Sequence, residues 1–102
     1  MKKGEKRTPK PAPEHLSVES RAIWVSVLRG NQSPRQSGLA LLCVGLEALD
    51  RANAARTEID ASGMVQKGEN MAHVHPLLRV EKDSRATFMK VWAQLGLDRL
   101  WG

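Results

Sequence analysis

The stretch LALLCVGL, residues 39–46, carries no charged side chain on any face. It opens a longer pattern in which Leu42, Leu46 and Ile59 recur at helical spacing, and this pattern predicts a helix over 39–61. A helix that is apolar on all sides is normally buried on all sides. Either a compact bundle encloses this helix at its centre, or other copies of the chain supply part of the cover.

The second alternative predicts a self-association surface on the apolar stretch. Two partner helices in so short a chain cannot easily enclose the stretch, which favours cover by other copies. The predicted oligomerisation residues are Leu39, Leu41, Leu42, Val44, Leu46 and Leu49. Gly45 costs about 1 kcal/mol of helix propensity relative to alanine, but its lack of a side chain permits another helix to approach closely.

Further helices are expected on both sides of this segment. Ser17 is a suitable N-cap for a helix that stops at Gly30. Pro76 suits the first turn of another helix, which Gly96 terminates and onto which Leu97 folds back. The predicted fold class is therefore all-α, a three-helix domain with helices at about 18–29, 39–61 and 76–96 and a short hairpin or loop at 64–74.

Length and composition restrict the class of protein. The chain has 102 residues, of which 41% are hydrophobic and 26% charged, as in one small globular domain. No apolar run approaches the roughly 20 residues that a membrane span requires, and no hydrophobic stretch follows the basic amino terminus as in a secretory signal. Cys43 is the only cysteine, which excludes disulfide frameworks. The cell interior is the expected compartment.

Positive charge is concentrated near the amino terminus. The chain carries a formal charge of +5, and residues 1–14 alone contribute five basic and two acidic side chains together with three prolines. This composition predicts a flexible basic arm over 1–16, followed by a single helical domain over 17–102. Such an arm can neutralise phosphates and release counterions, or it can be a solubilising tail. The predicted DNA-binding residues are Lys2, Lys3, Lys6, Arg7, Lys10, Arg21, Arg29 and Arg35.

No enzymatic chemistry is evident. His73 and His75 provide only two of the three or four ligands of a zinc site. His15 is far away from this pair, and Cys43 lies in the apolar run. No glycine-rich nucleotide motif is present. The predicted connector over 30–38 is also longer than the turn of a helix-turn-helix. We therefore predict no catalytic, cofactor-binding or metal-binding residues.

Several short motifs occur in order between about residues 11 and 97. They are Ala-Pro-Glu-His-Leu-Ser at 12–17, a helix with Trp24, Gly-Met-Val at 63–65, His-Pro-Leu-Leu-Arg at 75–79, Phe88 and Leu-Gly-Leu at 95–97. Together these motifs resemble the small subunit of phage terminases. Their order and spacing carry the resemblance. The chain departs from the family after Leu97, where Asp-Arg-Leu-Trp-Gly replaces the usual threonine-proline and basic stretch.

The resemblance implies a packaging factor of a tailed phage or prophage in the host bacterial cytoplasm. Small subunits of this family are helical, form rings, recognise double-stranded viral DNA and regulate the large subunit, which holds the ATPase and nuclease. No cofactor and no membrane are implied. Two other functions stay open: a small helical DNA-binding transcriptional regulator, and a protein–protein interaction module without nucleic acid in which Trp101 and the apolar helix dock a partner.

Overall fold

A computed structural model describes residues 10–30, 35–62, 65–66 and 73–97 of the chain. The elements in chain order are helix α1 (Val18–Arg29), helix α2 (Gln36–Ser62), strand β1 (Val65–Gln66), strand β2 (His73–Val74) and helix α3 (Leu77–Gln94). The two short strands pair antiparallel, with Val65 opposite Val74. The predicted all-α three-helix domain is confirmed, and the segment predicted as a hairpin or loop contains a short hairpin.

Helix α1 has the limits that the sequence predicts. Ser17 caps its first turn, because its Oγ accepts a hydrogen bond from the backbone N–H of Ser20 at 3.1 Å. At the other end, the backbone N–H of Gly30 donates to the carbonyl of Val27. Local capping signals therefore set both ends of this helix.

Helix α2 begins three residues earlier than predicted. The backbone N–H of Leu39 donates to the carbonyl of Arg35 at 2.8 Å, so the first turn includes Gly38, which the sequence assigned to the connector. The connector between α1 and α2 is correspondingly shorter, over 30–35. A glycine in the first turn weakens a helix by about 1 kcal/mol, and the long apolar face that follows is sufficient to offset this cost.

Helices α2 and α3 form a long antiparallel pair. Ser62 at the end of α2 lies beside His75, Asn53 beside Arg85, and Gly45 beside Val91. Helix α1 covers the first half of α2 and also runs antiparallel to it. Ser17, just before α1, contacts Asp50, whereas Trp24, further along α1, lies near Leu39 and Cys43. The second half of α2 packs on α3 through Ala52, Ala55 and Ile59, which are all buried.

The main core lies where all three helices meet. Its buried members are Leu16, Trp24, Val27, Leu42, Leu46 and Leu97. Leu42 and Leu46 have no exposed surface, so the chain encloses these two residues by itself. Leu97 joins the core after Gly96 turns the chain with a φ of +75°, which confirms the predicted return of this leucine onto the last turn of α3.

The described part of the predicted arm, residues 10–16, packs against the helices. Leu16 is buried in the core, Ala12 packs against it, and the indole Nε1 of Trp24 donates to the carbonyl of Lys10 at 2.9 Å. Residues 1–9 lie outside the described part of the chain. None of the described helices is long and apolar enough to cross a membrane.

The close approach of α2 and α3 depends on Gly45. A Cβ atom at this position would lie 2.7 Å from Cγ1 and 3.0 Å from Cβ of Val91. A valine side chain is stiff and cannot rotate away cheaply, so the helices would have to separate. The predicted role of this glycine in close helix packing is confirmed.

We expect Gly45→Ala to lower the free energy of unfolding by about 1 kcal/mol, because overpacking costs about 1–3 kcal/mol and the better helix propensity of alanine returns about 1 kcal/mol. Urea denaturation of the two single variants and of Gly45→Ala in a Val91→Ala background measures the coupling free energy between positions 45 and 91. In that background both Cγ atoms of residue 91 are absent and only its Cβ, at 3.0 Å, remains close, so we expect the alanine at position 45 to cost less stability than in the wild type. An equal effect of Gly45→Ala in both backgrounds would contradict the close contact.

Candidate functional site

Four of the eight predicted DNA-binding residues lie in the described part of the chain. Lys10, Arg21, Arg29 and Arg35 are all exposed, and none of them forms an ion pair with another described residue. The remaining four, Lys2, Lys3, Lys6 and Arg7, lie outside the described residues.

Lys10 and Arg35 line the same concavity at the amino-terminal end of α2. The other lining residues are Trp24, Gln36, Ser37, Leu39, Ala40 and Cys43. The bond from Trp24 to the carbonyl of Lys10 fixes the backbone of this lysine against α1. The first turn of α2 contains no acidic residue, and a helix amino terminus attracts anions through its free N–H groups and its dipole. This end of α2 therefore combines two cations with a favourable helix terminus.

Arg21 and Arg29 do not line this concavity. They lie eight residues apart on α1, which corresponds to about 12 Å along the helix axis. Arg29 ends α1 and is separated from Arg35 only by the connector, whereas Arg21 lies in the first half of α1. The structure thus brings together two of the four described candidates, Lys10 and Arg35.

Three arginines of α2 and α3 are in ion pairs. Arg56 Nε lies 3.5 Å from Asp60 and 3.8 Å from Glu81, and Arg85 lies 3.2 Å from the same Glu81. A further pair joins Arg79 to Asp83. Arg56 and Arg85 link α2 to α3 through Glu81 and Asn53, whereas the pair of Arg79 and Asp83 lies within α3. Arg51, Lys82 and Lys90 are exposed cations outside the ion pairs of the described residues.

The predicted oligomerisation residues separate into three groups. Leu42 and Leu46 are fully buried within the chain, so their assignment to a surface between copies is wrong. The error arises because two partner helices were expected to leave part of the apolar stretch exposed. In the structure, Leu42 and Leu46 are covered by α1 and α3 together with Leu97. Leu39, Leu41 and Leu49 are partly buried. Val44 is 47% exposed and points away from the core.

An apolar groove between α1 and α3 was not predicted from the sequence. Ala22, Ile23 and Ser26 line one side, and Phe88 and Trp92 line the other with ring centroids 5.2 Å apart. In the sequence, Phe88 is notable only as one of the short motifs. A motif could not show that α1 leaves Phe88 and Trp92 partly uncovered.

Asp50 joins the amino terminus of α1 to the middle of α2. Its carboxylate accepts hydrogen bonds from the backbone N–H of Ser17 at 2.8 Å, from the Ser17 hydroxyl at 2.7 Å and from the Ser20 hydroxyl at 2.6 Å. Burial raises the pKa of Asp50, but these hydrogen bonds and the nearby His15 together lower that pKa below its ordinary value. The ionised carboxylate is thus a structural acceptor for the start of α1.

His15, Cys43 and Glu47 lie together on the surface of α2. His15 Nε2 lies 2.7 Å from Glu47 Oε2, and the Cys43 thiol donates to the same oxygen at 3.6 Å. Burial, and then the negative charge and hydrogen bonding of Glu47, raise the pKa of the Cys43 thiol. The sequence did not indicate this contact between His15 and α2, which arises because the packing of Leu16 and Ser17 carries the preceding turn onto α2.

His75 caps helix α3. Its Nδ1 accepts a hydrogen bond from the backbone N–H of Leu77 at 3.1 Å. The Ser62 hydroxyl donates to the carbonyl of Glu58, so it accepts from His75 Nε2, which lies 3.2 Å away. The buried ring therefore connects the end of α2 to the start of α3.

Comparison of the chain with protein-family models, curated proteins and solved structures finds no match. The resemblance to small terminase subunits therefore depends on the short motifs alone.

Proposed function

We propose that this chain is a small terminase subunit, a non-enzymatic and oligomeric protein that binds double-stranded viral DNA and regulates a large subunit during genome packaging. The observation that supports DNA binding best is the convergence of Lys10 and Arg35 on one concavity at the start of α2. The order of the motifs that resemble the family supports the more specific assignment.

The proposed contact is with the phosphate backbone. Lys10 and Arg35 lie in the same concavity as the first turn of α2, so a phosphate there meets two cations and a helix amino terminus. The preceding residues add Lys2, Lys3, Lys6 and Arg7. Neutralisation of several phosphates releases counterions, which makes the affinity strongly dependent on salt.

Self-association would multiply these contacts. One chain presents few cations to a duplex, whereas several chains on one scaffold raise the avidity by about 10²–10⁴. Val44, with the partly buried Leu41 beside it on α2, is the part of the apolar stretch that stays available to a second copy. The ring is thus proposed to form through the outer face of α2.

Replacing Lys10 and Arg35 together by alanine is expected to weaken binding to a double-stranded DNA fragment about tenfold. The slope of log affinity against log salt should fall in magnitude by about 2, since two phosphate contacts are lost. Fluorescence anisotropy across a salt series measures both quantities. The matched control is Lys82→Ala with Lys90→Ala, which removes the same charge from exposed positions on α3.

The outcomes distinguish the proposal from its alternatives. Equal losses of DNA affinity in the two double variants would contradict a localised phosphate contact. No binding at low salt would favour an interaction module without nucleic acid, and protection of a promoter rather than a packaging start would favour a transcriptional regulator. A strict monomer in size-exclusion chromatography with light scattering would contradict the ring.

A further inference from the structure

The cluster of His15, Cys43 and Glu47 contains three different metal-ligating groups. One ligand atom from each residue lies within 4.8 Å of the other two. They come from two segments of the chain: His15 from the turn before α1, and Cys43 and Glu47 from α2. Since residues four apart share one face of a helix, α2 presents its two groups side by side toward His15.

The turn that carries His15 is fixed on the side of α1. The backbone N–H of Leu16 donates to the carbonyl of Pro13, and Leu16 itself is buried. The next residue, Ser17, is held by the carboxylate of Asp50 through two hydrogen bonds. The backbone of His15 is therefore held beside α2 by its neighbours, independently of the bond from its imidazole to Glu47.

We propose that His15 Nε2, Cys43 Sγ and a Glu47 carboxylate oxygen bind a single zinc ion. An imidazole, a thiolate and a carboxylate together suit Zn²⁺, whereas Mg²⁺ and Ca²⁺ prefer oxygen ligands. On binding, the Cys43 thiol loses its proton to solvent and its sulfur bonds to the metal. The thiolate and the carboxylate then balance the two positive charges of the ion.

The two distances to the Glu47 oxygen fit a tetrahedral ion after a small adjustment, and His15 Nε2 lies within 4.8 Å of Cys43 Sγ. Zinc–ligand bond lengths of about 2.3 Å to sulfur and about 2.1 Å to oxygen place those two atoms about 3.6 Å apart, and Cys43 Sγ lies 3.6 Å from Glu47 Oε2. The nitrogen–oxygen distance would open from 2.7 Å to about 3.4 Å. Glu47 and His15 can provide this change because their side chains are 39% and 58% exposed.

Three protein ligands leave the fourth position of a tetrahedral zinc ion to water or to another ligand. A bound ion would join the turn at residues 13–16 directly to α2, in addition to the contacts of Leu16 and Asp50. The inference is independent of the proposed function, because it depends only on the ligand geometry.

Titration of the metal-free full chain with Co²⁺ and with Zn²⁺ tests the site. We expect one Co²⁺ per chain, with the thiolate-to-cobalt charge-transfer absorption and the visible absorption of a tetrahedral ion. Zn²⁺ should abolish both signals and raise the Tm, because it binds the folded chain selectively. Cys43→Ala should lose the charge-transfer absorption, and His15→Ala and Glu47→Gln should each weaken binding by at least about tenfold.

The control variant is His73→Gln, which removes a histidine outside the cluster and is expected to leave the affinity unchanged. Circular dichroism of each metal-free variant checks that the fold is retained. A hydrogen-bonded cluster without metal affinity would show no charge-transfer absorption with Co²⁺ and no rise in Tm with a molar excess of Zn²⁺. This result would overturn the proposal. Unchanged affinity in both His15→Ala and Glu47→Gln would also overturn it, since it would indicate adventitious binding to the cysteine alone.

Discussion

Replacing Leu46 by alanine is expected to lower the free energy of unfolding by about 2–5 kcal/mol. Leu46 has no exposed surface and lies in the core that also contains Leu42 and Trp24. Removal of three carbon atoms there loses transfer free energy and leaves a cavity that the neighbours fill only in part. Small domains have only about 5–15 kcal/mol of stability, so this variant should be close to unfolding.

Urea denaturation followed by circular dichroism measures this loss. Val44→Ala, two residues away in the same apolar stretch, is the matched control, because Val44 is 47% exposed and its truncation should change stability by less than about 0.5 kcal/mol. Similar losses of unfolding free energy in Leu46→Ala and Val44→Ala would contradict the division of the apolar stretch into buried and outward-facing residues.

Asp50→Asn is expected to lower the free energy of unfolding by about 2–3 kcal/mol at neutral pH. The carboxylate accepts three hydrogen bonds at the start of α1, from two serines. An asparagine amide retains only one accepting oxygen and loses the negative charge that favours a helix amino terminus. Helix α1 should therefore be held less firmly on α2.

The effect of this variant should depend on pH. Because the pKa of Asp50 is lowered in the folded chain, its contribution is fully present above the unfolded value of about 3.9 and is lost as the pH falls through the folded value. The difference in unfolding free energy between the wild type and Asp50→Asn should therefore be present at neutral pH and shrink in strong acid.

Denaturation curves at several pH values check this dependence. Asp60→Asn is the control, because Asp60 is 68% exposed and, among the described residues, pairs only with Arg56, so its loss should change stability by at most about 0.5 kcal/mol. A difference between wild type and Asp50→Asn that grew in acid would contradict the hydrogen-bonded role of the carboxylate.

The helices could be predicted from the sequence because local signals define them. Ser17, Gly30 and Gly96 mark helix ends by capping and backbone conformation, Pro76 marks the start of α3, and the apolar spacing identifies α2. The early start of α2 could not be predicted, since Gly38 is also typical of a connector. The degree of cover over the apolar stretch depends on how three helices and Leu97 meet, which is a property of tertiary packing.

The candidate sites were harder to predict because they join distant parts of the chain. His15 and Glu47 are 32 residues apart, and the contact between them follows from the packing of Leu16 rather than from any motif. Similarly, charge alone identified Lys10 and Arg35 as candidates, but nothing in the sequence placed them in one concavity. Net charge reports a tendency to bind polyanions, whereas the position of each cation depends on the fold.

The short distance between α2 and α3 also restricts how this chain can change over evolutionary time. A side chain can be accepted at position 45 only if the residue at position 91 becomes smaller, because Val91 already occupies that space. Sequences descended from a common ancestor with this pair of helices should therefore show compensating exchanges at positions 45 and 91. Glycine should be retained at position 45 wherever position 91 holds a β-branched residue.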